Sequence, residues 1–296
     1  MKNLWILLVL IAAKVGYAQD VDAVYLNAEL FPGTDVSDVT KLEAGIDFPI
    51  INTSKEKLTI GGKFQKTSYM YVDKDVPFET DEIEDFNAFS FKLGYQRRLS
   101  DSWSLQVMGE SQVSSNFSEK EIKSEDIFFN AMATLEKYNE SKNAMWTFGA
   151  AYDIKYGLYY PIPVISYTKR INDAWAYKIG FPDARVKWSI SEHHNFEGFA
   201  TLTGFTGNIN DEVEVYKEDY SGTLRQTSYI VGLGYNFSFF KTFQASLNGG
   251  YSMYNSMEIQ DYSNNEVYDF DSSNSFYLNL GVKYKFKNNT KIKSLY

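Results

Sequence analysis

Phe276-Tyr277-Leu278-Asn279-Leu280-Gly281-Val282-Lys283-Tyr284-Lys285-Phe286 alternates along its length. Phe276, Leu278, Leu280, Val282, Tyr284 and Phe286 fall on one face of an extended chain, while Asn279, Gly281, Lys283 and Lys285 fall on the other. Successive side chains of a strand point to opposite sides, so this is a strand with one greasy and one polar face. Such a face is buried against a second sheet, or it meets lipid while the polar face lines a lumen. One strand leaves both readings open; many strands together separate them.

The pattern recurs upstream. Phe89, Phe91, Leu93 and Tyr95 alternate with Ser90, Lys92, Gly94 and Gln96. Trp146, Phe148, Ala150, Tyr152 and Ile154 alternate with Thr147, Gly149, Ala151, Asp153 and Lys155. Similar runs start at Trp103, Arg185, Tyr229 and Phe243. Several reach the ~9–11 residues that a tilted strand needs to cross a bilayer. Short connections are expected near 52–56, 99–102, 139–143, 171–173, 192–194 and 238–241, and longer ones near 72–85, 115–125, 209–224 and 255–274. Tight turns at one end and long loops at the other are the habit of membrane barrels. The expected fold is therefore all-β: a closed antiparallel up-and-down transmembrane β-barrel of about 14 strands, or about 12 if one weak hairpin is dropped. The weakest segments are 21–31, 161–170 and 174–181. Aromatic residues at strand ends (Tyr69 and Tyr71, Tyr159 and Tyr160, Tyr235 and Phe237, Tyr284 and Phe286) are read as girdles at the two interfaces.

Composition agrees. The chain has 23 Tyr, 22 Phe and 5 Trp, yet beyond the N-terminus it carries no long apolar run of the kind a spanning helix needs. Residues 1–18 have the order of a secretory signal peptide: Lys2, an apolar core from Leu4 to Ala13, then Gly16 and Ala18 before Gln19. The expected organisation is this signal, a barrel over 19–286 and a polar periplasmic tail over 287–296. The absence of cysteine excludes disulfides, thiolate metal sites and a lipid-anchor cysteine. A net charge of −9 makes the chain a poor nucleic-acid binder. The expected location is the cell outer membrane of a Gram-negative envelope. The expected partners are outer-membrane lipid and lipopolysaccharide, the barrel-assembly machinery and a small-molecule cargo, with no nucleic acid.

No catalytic constellation is expected, and neither a cofactor nor a metal. His193 and His194 are the two histidines, placed in a tight solvated turn where neighbours point apart. Acidic residues gather in three expected outer loops: Asp73 to Asp85, Asp211 to Asp219, and Asp261 to Asp271. They suit solvated surfaces first and divalent cations second. The residues expected to line the lumen are Lys92, Gln106, Glu110, Asp153, Lys155, Arg185, Lys187 and Lys283. Their mixed charge would either line a watery path or pair and fill it.

Gly180, Pro182 and Asp183 form the most distinctive turn motif, in Gly180-Phe181-Pro182-Asp183-Ala184-Arg185-Val186-Lys187-Trp188. Pro182 fixes φ and supplies no donor, Gly180 relaxes the backbone, and Asp183 favours a turn. With Tyr160-Pro161-Ile162-Pro163 and Gly204-Phe205-Thr206-Gly207-Asn208, this resembles a family of bacterial outer-membrane β-barrel proteins known only as a domain of unknown function. The resemblance implies a barrel and an outer-membrane address, and no substrate or catalytic residue. Four functional readings follow: passive passage of small molecules, a non-transporting surface or envelope-structural barrel using acidic loops, a soluble periplasmic β-protein, and a barrel enzyme using His193 or His194.

Overall fold

The computed structural model describes residues 22–33, 35–71, 76, 78–118, 121–215, 218–240 and 242–286. The expected signal peptide (1–18) and tail (287–296) lie outside them. The strands are β1 (Asp22–Phe31), β2 (Ser37–Asn52), β3 (Glu56–Tyr71), β4 (Asp85–Arg98), β5 (Trp103–Ser115), β6 (Ile127–Tyr138), β7 (Ala144–Tyr152) and β8 (Ile162–Arg170). They continue with β9 (Trp175–Phe181), β10 (Asp183–Ser189), β11 (His194–Val215), β12 (Glu218–Phe239), β13 (Phe243–Asp261), β14 (Glu266–Asp269) and β15 (Phe276–Lys285). Sequential neighbours pair antiparallel from β1 to β13; β13 then pairs with β15, and β15 returns to β1. The sheet is a closed 14-strand antiparallel barrel, with β14 a short spur on β13. Closure pairs the edges that an open sheet of this size would expose.

The alternation seen in the sequence sorts inside from outside. Phe89, Phe91 and Leu93 of β4, Val186 and Trp188 of β10, and Leu280 and Val282 of β15 are exposed on the outer surface. The described strands form one sheet, so no second layer covers this apolar belt. An apolar belt of that extent is suited to hydrocarbon and costly in water. Leu233 tests this. It is 75% exposed on β12, and Leu233→Arg is expected to cost about 2–4 kcal/mol if the position lies near a bilayer midplane. Equilibrium unfolding in lipid checks it; an effect under ~0.5 kcal/mol is what a water-facing site would give.

Six short connections sit at one end, between β2 and β3, β4 and β5, β6 and β7, β8 and β9, β10 and β11, and β12 and β13. Side chains close them locally: Asn139 Oδ1 accepts from the backbone N–H groups of Asn143 and Ala144, and Asn172 Oδ1 from those of Ala174 and Trp175. These are Asx-type turns that replace ladder bonds with side-chain ones. The same end carries a run of touching rings. Trp175 stacks on Trp188 at 5.7 Å, Trp188 meets Phe196, and Phe196 meets Tyr235. Phe239, Phe243, Tyr284, Phe286 and Phe48 continue it on the strands beyond.

Several expectations are corrected. The segment 209–224 is not a loop: β11 and β12 are each 22 residues long and pair through most of it. Much of 255–274 is likewise strand, in β13 and β14. β7 stops at Tyr152, and Ile154 is buried in a 3-10 turn (Ile154–Tyr156) instead of facing outward. Tyr69 and Tyr71 belong to no girdle, because β3 turns them to the same inner face as Lys63 and they pack into the interior. His194 starts β11 instead of sitting in a solvated turn; it lies against Tyr235 and Phe237, with Nδ1 2.6 Å from the Tyr235 hydroxyl. The weak segments 21–31, 161–170 and 174–181 do carry strands, namely β1, β8 and β9.

Candidate functional site: a lumen closed at one end

The short β9–β10 hairpin decides the shape of the interior. Its two strands have seven residues each and reverse at Pro182, after a cis Phe181–Pro182 peptide. Pairing between β10 and β11 therefore ends at Asp183↔Thr201, and Leu202 N–H donates to the Pro182 carbonyl as the last contact there. Beyond it, β11 runs on to Val215 with no β10 partner. Backbone groups without a ladder must find other partners. Those of β11 find them across the barrel. Lys41 Nζ of β2 donates to the Gly204 carbonyl (3.1 Å), Ser114 Oγ of β5 to that of Thr206 (2.9 Å), and Ser115 Oγ to that of Asn208 (3.1 Å). Asn208 even forms a parallel bridge with Ser115. The upper β11–β12 hairpin thus leans through the lumen to the opposite wall.

Apolar packing fixes it there. Phe205, Ile209, Val213, Leu224 and Ile230 from the hairpin share one cluster with Phe31, Val39, Tyr69 and Phe86 from β1 to β4 and with Met257 and Ile259 from β13. Ile83 from the β3–β4 connection is fully buried in the same cluster, so that acidic loop is anchored from below. On the β7–β8 side, Thr206 Oγ1 donates to the Ile154 carbonyl and Thr227 Oγ1 to that of Tyr156. A buried polar knot completes the seal: Asn208 Nδ2 donates to Asp126, the Tyr262 hydroxyl donates to Asn208 Oδ1, and Ser115 Oγ lies 2.6 Å from Asn210 Oδ1. Nearby, the Ser124 hydroxyl donates to Glu125 and holds its carboxyl below the usual carboxylate range.

The half of the lumen nearest the short turns is different. It is a polar vestibule with two lobes of about 660 and 570 Å³ that share Glu197, Asn236 and Gln244. Register carries polar inner-face residues around its wall: Asn195 faces Asn236, Asn236 faces Ser246, and Asn248 faces Asn279. Asn248 Nδ2 donates to Asn279 Oδ1 at 2.8 Å. Inner-face glycines leave room for longer neighbours; a methyl group at Gly45 would overlap the Tyr25 ring.

A family model matches residues 23–285. The chain belongs to the family described as a domain of unknown function (DUF6268). No curated protein matches it. Among solved structures, an outer membrane channel from Pseudomonas putida F1 is 11% identical, with a TM-score of 0.47, covering 91% of this chain and 97% of that one. The TodX monoaromatic hydrocarbon channel, as its deltaS2 mutant, is 9% identical with a TM-score of 0.43, covering 93% and 92%. The KdgM porin is 7% identical with a TM-score of 0.37, covering 89% and 99%. At such identities nothing about cargo passes from them to this DUF6268 barrel.

The residues singled out by sequence fall into three places. Arg185, Lys187 and Lys283 line the vestibule, and Lys92 joins them through an ion pair with Asp47 at 2.7 Å. Glu110 lies within 3.6 Å of Lys63, which also approaches Glu43, and Gln106 stands opposite Gln96 on β4. Asp153 and Lys155 pair with each other at 2.8 Å, around the 3-10 turn instead of on a strand. Asp183 of the turn motif pairs with Lys178 and Arg185. Lys41, Ser114, Ser115 and Asp126, which hold the hairpin, escape a reading by alternation. Only the run of small and polar residues from Thr203 to Asn210 hints that this strand meets something other than lipid. Of the acidic loops, Asp73 and Asp75 lie outside the described residues, and Glu82 accepts from Asn116. Among the described residues no three His, Cys, Asp or Glu side chains gather in a metal-binding group.

Proposed function

We propose that this chain is an outer-membrane barrel for small polar solutes, held shut by its own β11–β12 hairpin, with the short turns and the vestibule toward the periplasm. The observation that carries it is the pairing of an open polar cavity in one half with a side-chain-packed other half. The vestibule leads from the short-turn end up to a seal built from one hairpin. β12 of that hairpin is laddered to β13, but β11 meets the far wall through side-chain contacts and a single backbone bridge at Ser115–Asn208, which are fewer and more easily exchanged than a ladder. Both ends of the barrel's chain emerge on the short-turn side, as parity of an even strand number demands. Residues 1–18 are the signal that would deliver it.

A disulfide lock tests this. The chain has no cysteine, and Ser115 and Asn208 are bridge partners across the lumen. In planar bilayers the wild type is expected to show brief, rare conductance steps. Ser115→Cys with Asn208→Cys is expected to lose them on oxidation and regain them on reduction. Steps that persist in the oxidised protein would place the path elsewhere. The sealed half also favours a second reading, a non-transporting envelope barrel, which predicts silence under every condition.

A further inference from the structure

We propose that the inner lobe of the vestibule, about 570 Å³ in volume, is a binding site for a neutral hexose. This names the cargo class for the lumen described above and so rests on that reading. The volume lies within the ~300–1,000 Å³ range of small-ligand sites. Charge decides first. The lobe is lined by two acids, Asp47 and Glu197, and two cations, Arg185 and Lys283, so it carries no net charge. None of the four is spare: Lys92 holds Asp47 at 2.7 Å, Arg185 reaches Glu197 at 3.4 Å, and Lys283 is engaged as well. An ionic solute would have to break such a pair and leave its other half uncompensated, which is costly. A neutral solute leaves every pair in place.

The groups left over are amides. Gln244 Nε2 donates to Asn236 Oδ1 at 2.7 Å, between β13 and β12, and Asn248 Nδ2 to Asn279 Oδ1 at 2.8 Å, between β13 and β15. Each bond uses only one half of each amide. The amino groups of Asn236 and Asn279 and the carbonyls of Gln244 and Asn248 have no protein partner among the described residues. Asn236 and Asn279 are each only 7% exposed, and both line the lobe. Two donors and two acceptors on adjoining strands match the vicinal hydroxyls of a sugar, each of which donates and accepts. Glycines let these side chains lie along the wall: a Cβ at Gly234 would overlap Asn248 Oδ1, and one at Gly281 would overlap Ser246 Oγ. Tyr25 of β1 adds a flat surface. Its ring packs over Gly45, where a Cβ would overlap it, and it lines the lobe with Asn27 and Gly281. With one face on the wall, the other is left to the lobe. The electron-rich face of an aromatic ring suits the C–H groups on one side of a pyranose; an open-chain polyol has no such flat side.

Calorimetric titration of the full chain tests the assignment, in an amine-oxide detergent that carries no sugar head group and in slightly acidic buffer. The probes are glucose, glucosamine, glucuronate and sorbitol: one ring in three charge states, and six carbons without a ring. Glucose is expected to bind at least fivefold more tightly than each of the other three. Asn279→Leu keeps the bulk and removes the amide, and Tyr25→Ala removes the flat surface; each is expected to weaken glucose at least fivefold. The gel shift between unboiled and boiled samples reports that the barrel is intact. If either variant lacks it, Gln244→Met is titrated in its place, with a threefold loss expected. Glucuronate or glucosamine binding as tightly as glucose overturns the charge argument, and sorbitol doing so overturns the role of Tyr25. No heat with glucose, or wild-type affinity in the intact variants, removes the site. Binding is read at equilibrium without any need for the hairpin to open, so a failure here is separate from a failure of the disulfide lock.

Discussion

Gly204→Val is expected to unseat the β11–β12 hairpin and turn a mostly silent barrel into a conducting one. Gly204 lies where β11 crosses the lumen; its carbonyl takes the Lys41 ammonium group, and its Cα faces the 3-10 turn after β7. A Cβ there would overlap the Gln226 carbonyl oxygen and stand 2.9 Å from the Tyr156 carbonyl carbon. Both obstacles are backbone, so no side-chain rotation relieves them. Overpacking of this kind costs about 1–3 kcal/mol. The Gln226 obstacle is relieved only where β11 parts from β12, and the Tyr156 obstacle only where β11 moves off the 3-10 turn; β12 keeps its ladder to β13, and Thr201 and the residues before it stay paired to β10 and β12, so β11 beyond Thr201 is the part expected to leave its seat. Gly198→Val on the same strand is the control, because its Cβ would have Leu233 as nearest neighbour at 3.9 Å. Conductance steps are expected to be at least tenfold more frequent in Gly204→Val than in the control. Amide exchange over 203–210 is expected to rise with them. Unchanged exchange together with unchanged silence would mean that the interior absorbs the methyl groups and the hairpin is no gate.

The outside of this barrel was legible in the sequence and much of the inside was not, for a physical reason. Lipid imposes one rule on every outward position, so Phe89, Phe91, Leu233 and Leu280 advertise their face by alternation alone. The short turns were equally plain, since Asn139 and Asn172 close them with their own side chains. The interior obeys no single rule. On β3, Lys63 and Tyr69 share the inward face, yet one meets carboxylates and the other an aromatic cluster. Alternation therefore ranked Tyr69 as a girdle residue and could not see that Phe205, far away in sequence, would meet it. The tip of the β11–β12 hairpin, 209–224, reads as a loop because Asn, Asp and Gly crowd 207–211. The carbonyls of Gly204, Thr206 and Asn208 accept from a lysine and two serines of the opposite wall. The vestibule residues Arg185, Lys187 and Lys283 were visible as the polar half of alternating strands. Their convergence with Asn236 and Gln244 depends on barrel closure, a property of all fourteen strands at once.

Phe86→Ala is expected to be among the most destabilising single changes in the chain, by about 3–5 kcal/mol, as for a phenylalanine removed from a close-packed core. Phe86 belongs to β4 and is fully buried inside the barrel. Its ring meets Phe205 of the inserted hairpin edge-on at 5.3 Å and Tyr69 of β3 at 6.2 Å. It also lies over Gly207, where a Cβ would stand 2.6 Å from it. The void left by alanine is ringed by strand backbone that the closed sheet holds in place, so collapse to fill it is limited. Phe89, three residues along the same strand, is 55% exposed on the outer face, and Phe89→Ala is expected to cost distinctly less. Urea unfolding of both variants in lipid vesicles measures the difference. Adding Phe205→Ala completes a double-mutant cycle, whose coupling is expected at about 0.5–1.5 kcal/mol for an aromatic pair. A Phe86→Ala cost below ~1 kcal/mol, with no coupling to Phe205, would show that the long-loop half is loosely filled; a hairpin resting on so soft a bed could not hold the lumen closed.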